Sequence, residues 1–85
     1  MIPTSKDFQE KLQQVLRLAA EKGRTHIDID AGSLHRLVWG AYERKHRLPQ
    51  CCYVMKKMMK EKDIILVEIE EGREAEFKVK YMLPR

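Results

Sequence analysis

The sequence has little of what membrane, secreted and nucleotide-binding proteins need. Its 85 residues contain no apolar run near the roughly 20 residues that cross a bilayer. The opening stretch, MIPTSKDFQEK, lacks the apolar segment of a secretory signal. The four glycines are scattered singly, so there is no glycine-rich phosphate-binding loop. We therefore expect one domain, spanning 1–85, in the cytoplasm.

Cysteine is also scarce, since the sequence has only Cys51 and Cys52, which are adjacent. Adjacent helical residues point about 100° apart, which suits neither a disulfide between them nor a shared metal ion. With His35 and His46 they have the chemistry for zinc, but structural zinc sites separate paired cysteines by two to four residues. We interpret both as reduced core thiols, with Cys52 partly against the connection between the second and third helices. We expect no metal or other cofactor, and no enzyme, because no oxyanion donor or convergent polar set accompanies them.

The first half of the chain has the pattern of a helix, a short strand and a second helix. Residues 26–29 alternate between polar and apolar side chains, as a half-buried strand does. Asp30 is then a good helix cap, and Gly40 would end that helix. The apolar residues that we expect in the core are Phe8, Leu12, Val15, Leu16 and Ala19 on the first helix (about 5–22), and Leu34, Leu37 and Val38 on the second.

The second half has the pattern of a helix followed by a hairpin. Pro49 marks the first turn of a third helix, which we place at about 49–62. Residues 65–70 and 77–81 alternate with a period of two around a turn at 71–73, which predicts a β-hairpin. The strand at 26–29 can pair with it. The apolar residues that we expect on the inner side of the third helix are Cys51, Val54, Met55 and Met58, flanked by Cys52 and Met59.

This order of elements resembles the winged helix-turn-helix fold over nearly the whole chain. In that family the third helix is the recognition helix and the hairpin is the wing, so the resemblance implies an α+β winged helix. The strings LHRLV, HRLPQCCYVM and VKYMLPR are also similar to those of small bacterial proteins with no established activity. Those proteins carry a Gly/Pro-rich linker after the second helix, where this chain has the more basic WGAYERKHRLP. The likeness implies a bacterial or phage origin.

Positive charge is concentrated in the middle third of the chain. The formal charge is 0 over residues 1–34, +6 over 35–62 and −2 over 63–85, which makes +4 in total. An anionic partner would be drawn to the middle segment. On the third helix, polar residues recur at spacings of three and four on the side opposite Cys51 and Met55. The residues that we predict to contact DNA are Arg44, Lys45, Arg47, Gln50, Tyr53, Lys56, Lys57 and Lys60.

We therefore predict binding of double-stranded DNA through the third helix, by a small transcription regulator or accessory factor. Gln50 and Tyr53 lie near the start of that helix, where base contacts are usual, and the lysines further along would bind phosphates. Arg44, Lys45 and Arg47 would clamp the flanking phosphates. The acidic hairpin tip, EEGREAE, would be repelled by phosphate. The alternatives are a winged-helix protein-interaction module, which uses the basic helix face and the acidic tip, and a thiol- or zinc-dependent sensor.

Overall fold

The structure, a computed structural model, describes residues 5–39 and 47–84. Within those ranges it contains three α-helices and one three-stranded antiparallel sheet, so the α+β class is confirmed. None of the described helices is long and apolar enough to cross a membrane. The elements are α1 (Ser5–Glu21), β1 (His26–Asp30), α2 (Ala31–Trp39), α3 (Leu48–Lys57), β2 (Ile64–Val67), a 3-10 turn (Glu74–Glu76) and β3 (Lys78–Met82).

α1 forms because its apolar residues recur every three or four positions and cover the core. Phe8, Leu12, Leu16 and Ala19 are all buried, as predicted. Gly23 ends the helix with a φ of 80°, a left-handed conformation that glycine adopts without strain. The N–H of Gly23 donates to the carbonyl of Ala20 at 3.0 Å. The helix and its end therefore agree with the sequence pattern.

α2 begins where β1 ends, with Asp30 as its cap. One carboxylate oxygen accepts from the N–H of Ser33 at 2.9 Å, and the other accepts from the Ser33 hydroxyl at 2.8 Å. The cap prediction is confirmed. The prediction for Leu37 is wrong, since this residue is 55% exposed while His35 is buried. The core stripe of α2 runs through positions 31, 34, 35 and 38, and residue 37 lies about 100° away from its neighbour in that stripe.

β3 lies in the centre of the sheet, in the order β1-β3-β2. β1 pairs with it from His26 opposite Met82 to Asp30 opposite Lys78, which confirms the predicted third strand. Phe77, Val79 and Tyr81 are fully buried, and the two lysines between them lie on the outer face of the sheet. The sheet therefore covers the helices with one apolar side.

β2 is shorter and less regular than predicted. Ile65 lies opposite Val79, but Val67 rather than residue 66 lies opposite Lys78, so β2 has one extra residue at this point. This bulge breaks the expected alternation, and Val67 and Ile69 are 41% and 39% exposed instead of buried. Of the alternating apolar residues at 65, 67 and 69, only Ile65 is half-buried.

The connection from β2 to β3 is not a simple hairpin tip. Gly72, at a φ of 85°, forms part of a turn in which the N–H of Arg73 donates to the carbonyl of Glu70 at 2.9 Å. The 3-10 turn that follows packs on the start of α2. A Cβ added at Gly32 would lie 3.2 Å from the Cβ of Ala75, so glycine allows this close approach. The last part of the acidic segment, at 74–76, therefore folds back against α2.

α3 ends at Lys57, earlier than the predicted residue 62. The side chain of Asp63 accounts for this, because it bonds the main chain in place of further helical turns. One carboxylate oxygen accepts from the N–H of Lys60 at 2.7 Å, and the other accepts from the N–H of Met82 at 2.8 Å. Lys60 therefore lies in a turn beyond the helix, and that turn is tied to β3.

Candidate nucleic-acid interface

α3 separates its side chains by polarity along its whole length. Its inner side packs against α1, α2 and the 3-10 turn. Its outer side ends in two lysines, and this ten-residue helix contains no acidic residue. The orientation predicted from the sequence is therefore confirmed for these residues: Cys51, Cys52, Val54 and Met55 are buried, whereas Tyr53, Lys56 and Lys57 are exposed.

No described carboxylate forms an ion pair with the outward lysines of this surface. Within residues 5–39 and 47–84, the ion pairs join residues 6 and 10, 17 and 21, and 73 and 76. None of these pairs involves Lys56, Lys57 or Lys60. The ammonium of Lys57 lies 6.0 Å from the centre of the Tyr53 ring, so the aromatic side chain contributes to the same surface. We call Tyr53, Lys56, Lys57 and Lys60 the cationic surface.

Gln50 and Arg47 lie at the start of α3 and are half-buried. The amide nitrogen of Gln50 donates to the hydroxyl of Ser5 at 2.6 Å. Its amide oxygen accepts from the guanidinium of Arg47 at 3.4 Å. Gln50 therefore links the first residues of α1 and α3, and its amide is engaged inside the protein rather than turned outward with Tyr53. Contact between this amide and a base would require the bond to Ser5 to break.

Two predicted contact residues, Arg44 and Lys45, lie outside the described residues. His46, one of the candidate zinc ligands, also lies there. The structure therefore brings together four of the eight predicted contact residues, which form the cationic surface, and places Gln50 and Arg47 beside its start.

α1 contributes residues that the sequence reasoning missed. A groove of about 700 Å³ runs between α1 and the end of α3. Its polar lining on α1 is Gln9, Gln13, Arg17 and Glu21, and Lys57 and Lys60 line the opposite side. The signal was present in the sequence as a polar stripe at spacings of four, but only the packing of α1 on α3 shows that it adjoins the lysines. The polar surface is therefore wider than one helix.

The two thiols point to different parts of the molecule. The sulfur of Cys51 donates to the carbonyl of Ala31 at 3.5 Å, and the sulfur of Cys52 donates to the carbonyl of Glu74 at 3.3 Å. The predicted burial of Cys51 is confirmed. Cys52 is equally buried, and its thiol contact is with the 3-10 turn, which the sequence reasoning did not foresee.

The chemistry of both thiols is suppressed by their surroundings. Burial, with a smaller effect from Cys52 and Asp30, raises the pKa of Cys51 far above its ordinary value. Burial, followed by the charge of Glu74, raises the pKa of Cys52 to about 11. Both are therefore protonated at neutral pH, whereas a nucleophile or a metal ligand must be a thiolate. This arrangement disfavours the thiol-dependent sensor.

His35, the remaining zinc candidate, is part of the core. It is 5% exposed, and its ring stacks on Phe8 with centroids 5.9 Å apart and an interplanar angle of 27°. In the part of the chain that the structure describes, no group of three or more His, Cys, Asp or Glu side chains is placed to hold a metal ion. The cationic surface is thus the best-formed candidate site.

Similarity to known proteins adds nothing to this description. Comparison of the chain with family models, with curated proteins and with solved structures finds no match. The function must therefore be argued from the side chains themselves, and the cationic surface is where their charge, exposure and arrangement are most distinctive.

Proposed function

We propose that this protein is a winged-helix domain that binds double-stranded DNA through the cationic surface, as a small regulator or accessory factor. The observation that carries the proposal is the set of exposed lysines at 56, 57 and 60, none of them paired with a described carboxylate. Phosphates would supply the missing negative charge, and the release of their counterions would drive binding.

The dimensions of α3 suit a major groove. An α-helix with its side chains is about 10–12 Å across, and the major groove of B-form DNA is about 12 Å wide. The order of elements, with a helix in front of a two-stranded wing, also supports the winged-helix assignment. Tyr53, 60% exposed in the middle of the helix, is placed to meet a phosphate or a thymine methyl group.

The groove between α1 and α3 extends the contact. Lys57 and Lys60 on one wall and Arg17 on the other would hold phosphates of one strand. Arg17 is only loosely held by Glu21, at 3.8 Å on an exposed surface, so its guanidinium can turn to a stronger anion. Gln9 and Gln13 add amide donors without adding negative charge.

The charge of the wing favours a DNA contact that is limited to the helices. Glu68, Glu70 and Glu71 are exposed, and phosphates would repel them. On the sheet, Lys78 and Lys80 lie opposite Asp30 and Asp28 of β1, so this face carries charges of both signs. We therefore place DNA against α3 and α1, away from the wing. The protein-interaction alternative differs here, because it would use the acidic segment as a docking surface.

The test is fluorescence anisotropy with a labelled duplex of mixed sequence over a range of salt concentrations. The variant combines Lys57→Glu with Lys60→Glu. The matched control combines Arg24→Glu with Arg36→Glu, two exposed arginines that lie outside both α3 and the groove. Both variants lower the formal charge from +4 to zero, so any difference reflects position rather than net charge.

We expect the α3 variant to bind about 100-fold more weakly at low salt and the slope of log K against log salt to fall by about two. The control should lose far less affinity. Equal losses in the two variants would mean nonspecific attraction. A wild-type protein that fails to bind duplex DNA at low salt would contradict the proposal and favour the protein-interaction alternative.

A further inference from the structure

The first half of α3 has few side chains that could reach a base edge. Base contacts normally come from the N-terminal part of a recognition helix. Of the residues at 48–53, those at 48, 51 and 52 are buried, and the residue at 49 is proline, which has no side-chain donor. Gln50 and Tyr53 are therefore the two side chains of this half of the helix that could read a base.

Of these two side chains, Gln50 has the chemistry that distinguishes one base from another. A glutamine amide recognises adenine by using its nitrogen and its oxygen together. Tyr53 carries a single hydroxyl on an exposed ring, so it cannot form a paired contact of this kind. Sequence readout by α3 therefore depends on whether the amide of Gln50 is available to the DNA.

Both polar atoms of the Gln50 amide are engaged within the protein. The nitrogen donates to the hydroxyl of Ser5 at 2.6 Å, and the oxygen accepts from the guanidinium of Arg47 at 3.4 Å. The bond to Ser5 is the shorter one, and it joins the start of α3 to the start of α1. Because the amide is also half-buried, it does not present its nitrogen and oxygen together to a base.

The cations of the same surface are placed to bind phosphate rather than bases. Lys56 and Lys57 lie in the last turn of α3, and Lys60 lies in the turn beyond the helix. Arg17 adds a cation across the groove. Phosphates are presented alike by every duplex, so contacts to them position a protein without reading sequence. Such contacts supply the sequence-independent part of DNA binding.

We propose that this protein binds duplex DNA without sequence preference, and that Ser5 sets this property by withholding the Gln50 amide from the bases. The inference rests on the proposed function, because it states which DNA the same surface accepts. It favours an accessory factor over a regulator that reads one site. Ser5 is a positioning residue, since it acts through Gln50.

The test is anisotropy competition, in which an unlabelled duplex of A·T pairs alone or of G·C pairs alone displaces a labelled duplex of mixed sequence. We expect the wild type to bind the two competitors within about threefold of each other. Gln50→Ala should keep that ratio, because the amide contacts no base. Ser5→Ala releases the amide and should shift the ratio towards the A·T duplex by about fivefold or more, the effect of one paired contact with adenine.

Two further variants separate the bond from other effects of the substitution. Ser5→Thr keeps a hydroxyl at this position and should keep the wild-type ratio. Ser5→Ala combined with Gln50→Ala has no amide to release, so it should also return to the wild-type ratio. A general disturbance at the start of α1 would not be reversed by Gln50→Ala. Circular dichroism of each variant checks that it folds.

Three results would overturn the inference while leaving DNA binding intact. They are a wild type that discriminates between the two duplexes by more than about threefold, a Ser5→Ala variant with the wild-type ratio, and a gained preference that Gln50→Ala fails to remove. A wild type that binds neither duplex at low salt would instead contradict the proposed function, and the inference would fall with it.

Discussion

α3 and β2 are separated by only six residues, yet they distribute apolar and charged side chains in opposite ways. α3 buries its sulfur and aliphatic side chains and turns lysines to solvent. β2 leaves most of its aliphatic side chains half exposed, with charges only at its flanks. The difference separates two kinds of surface. The α3 face presents charge to solvent, whereas β2 presents apolar side chains along an edge with which no described strand pairs.

The largest effect that distinguishes the two regions should be on the free energy of unfolding. Met55 is fully buried on α3, so Met55→Ala should cost about 2–5 kcal/mol through lost contacts and a cavity. Leu66→Ala on β2 should change the free energy of unfolding by about 0.5 kcal/mol or less. Chemical denaturation measures both. Equal costs would contradict the contrast between the two regions.

A smaller effect should come from the bond that joins α3 to the sheet. The hydroxyl of Tyr81 donates to the carbonyl of Met55 at 2.9 Å in the core. Tyr81→Phe should cost about 1–2 kcal/mol, because it leaves a buried carbonyl without this donor. Tyr53→Phe removes the same hydroxyl from an exposed ring and is the matched control, with no significant change expected. If the two substitutions cost the same, the bond does not couple α3 to β3.

The smallest effect should be a pH dependence that arises from the inner side of α3. The folded pKa of Cys52, about 11, exceeds the ordinary value of 9.0, so the unfolded chain loses this proton first as pH rises. The stabilisation is complete below pH 9 and is lost as pH rises towards pH 11. Between those values the denaturation midpoint should fall more steeply for the wild type than for Cys52→Ala.

Every other titratable group is common to both proteins, so the difference in slope isolates Cys52. Identical slopes for the two proteins would show that the thiol is not buried as described. A second check is the reaction with a thiol reagent at neutral pH, which should be slow in the folded protein and fast after denaturation.

Local periodicity predicted most of the fold. The spacing of Phe8, Leu12 and Leu16 was enough to predict α1. Asp30 was enough to predict the start of α2, and the alternation around Val79 was enough to predict β3. These features depend on neighbours within a few residues, which a sequence displays directly. The same patterns gave the order of elements, and that order suggested the resemblance to winged helices, which stays a prediction.

Three of the errors share one cause, which is contact between residues in different elements. α3 ends early because Asp63 bonds both Lys60 and Met82, and the latter lies in another strand. Gln50 is withdrawn from the outer surface because it meets Ser5, 45 residues away in the chain. The bulge in β2 depends on how β2 pairs with β3. The alternation of β2 by itself does not show this pairing.

The candidate site was predicted in part for the same reason. The helical spacing of Tyr53 and Lys57 placed both on one outward face, and a single helix is enough for that inference. The wall formed by Gln9 and Gln13 depends on the packing of α1 against α3. The sequence shows this polar stripe, but it does not show that the stripe lies beside the lysines of α3.

The most direct test of DNA binding by α3 is an NMR titration of the full chain with a mixed-sequence duplex, following every backbone amide. We expect chemical-shift changes in residues 47–60 and in the α1 wall of the groove, with residues 68–76 unaffected. Changes confined to residues 68–76, or no change at low salt, would contradict the proposal that the cationic surface binds DNA.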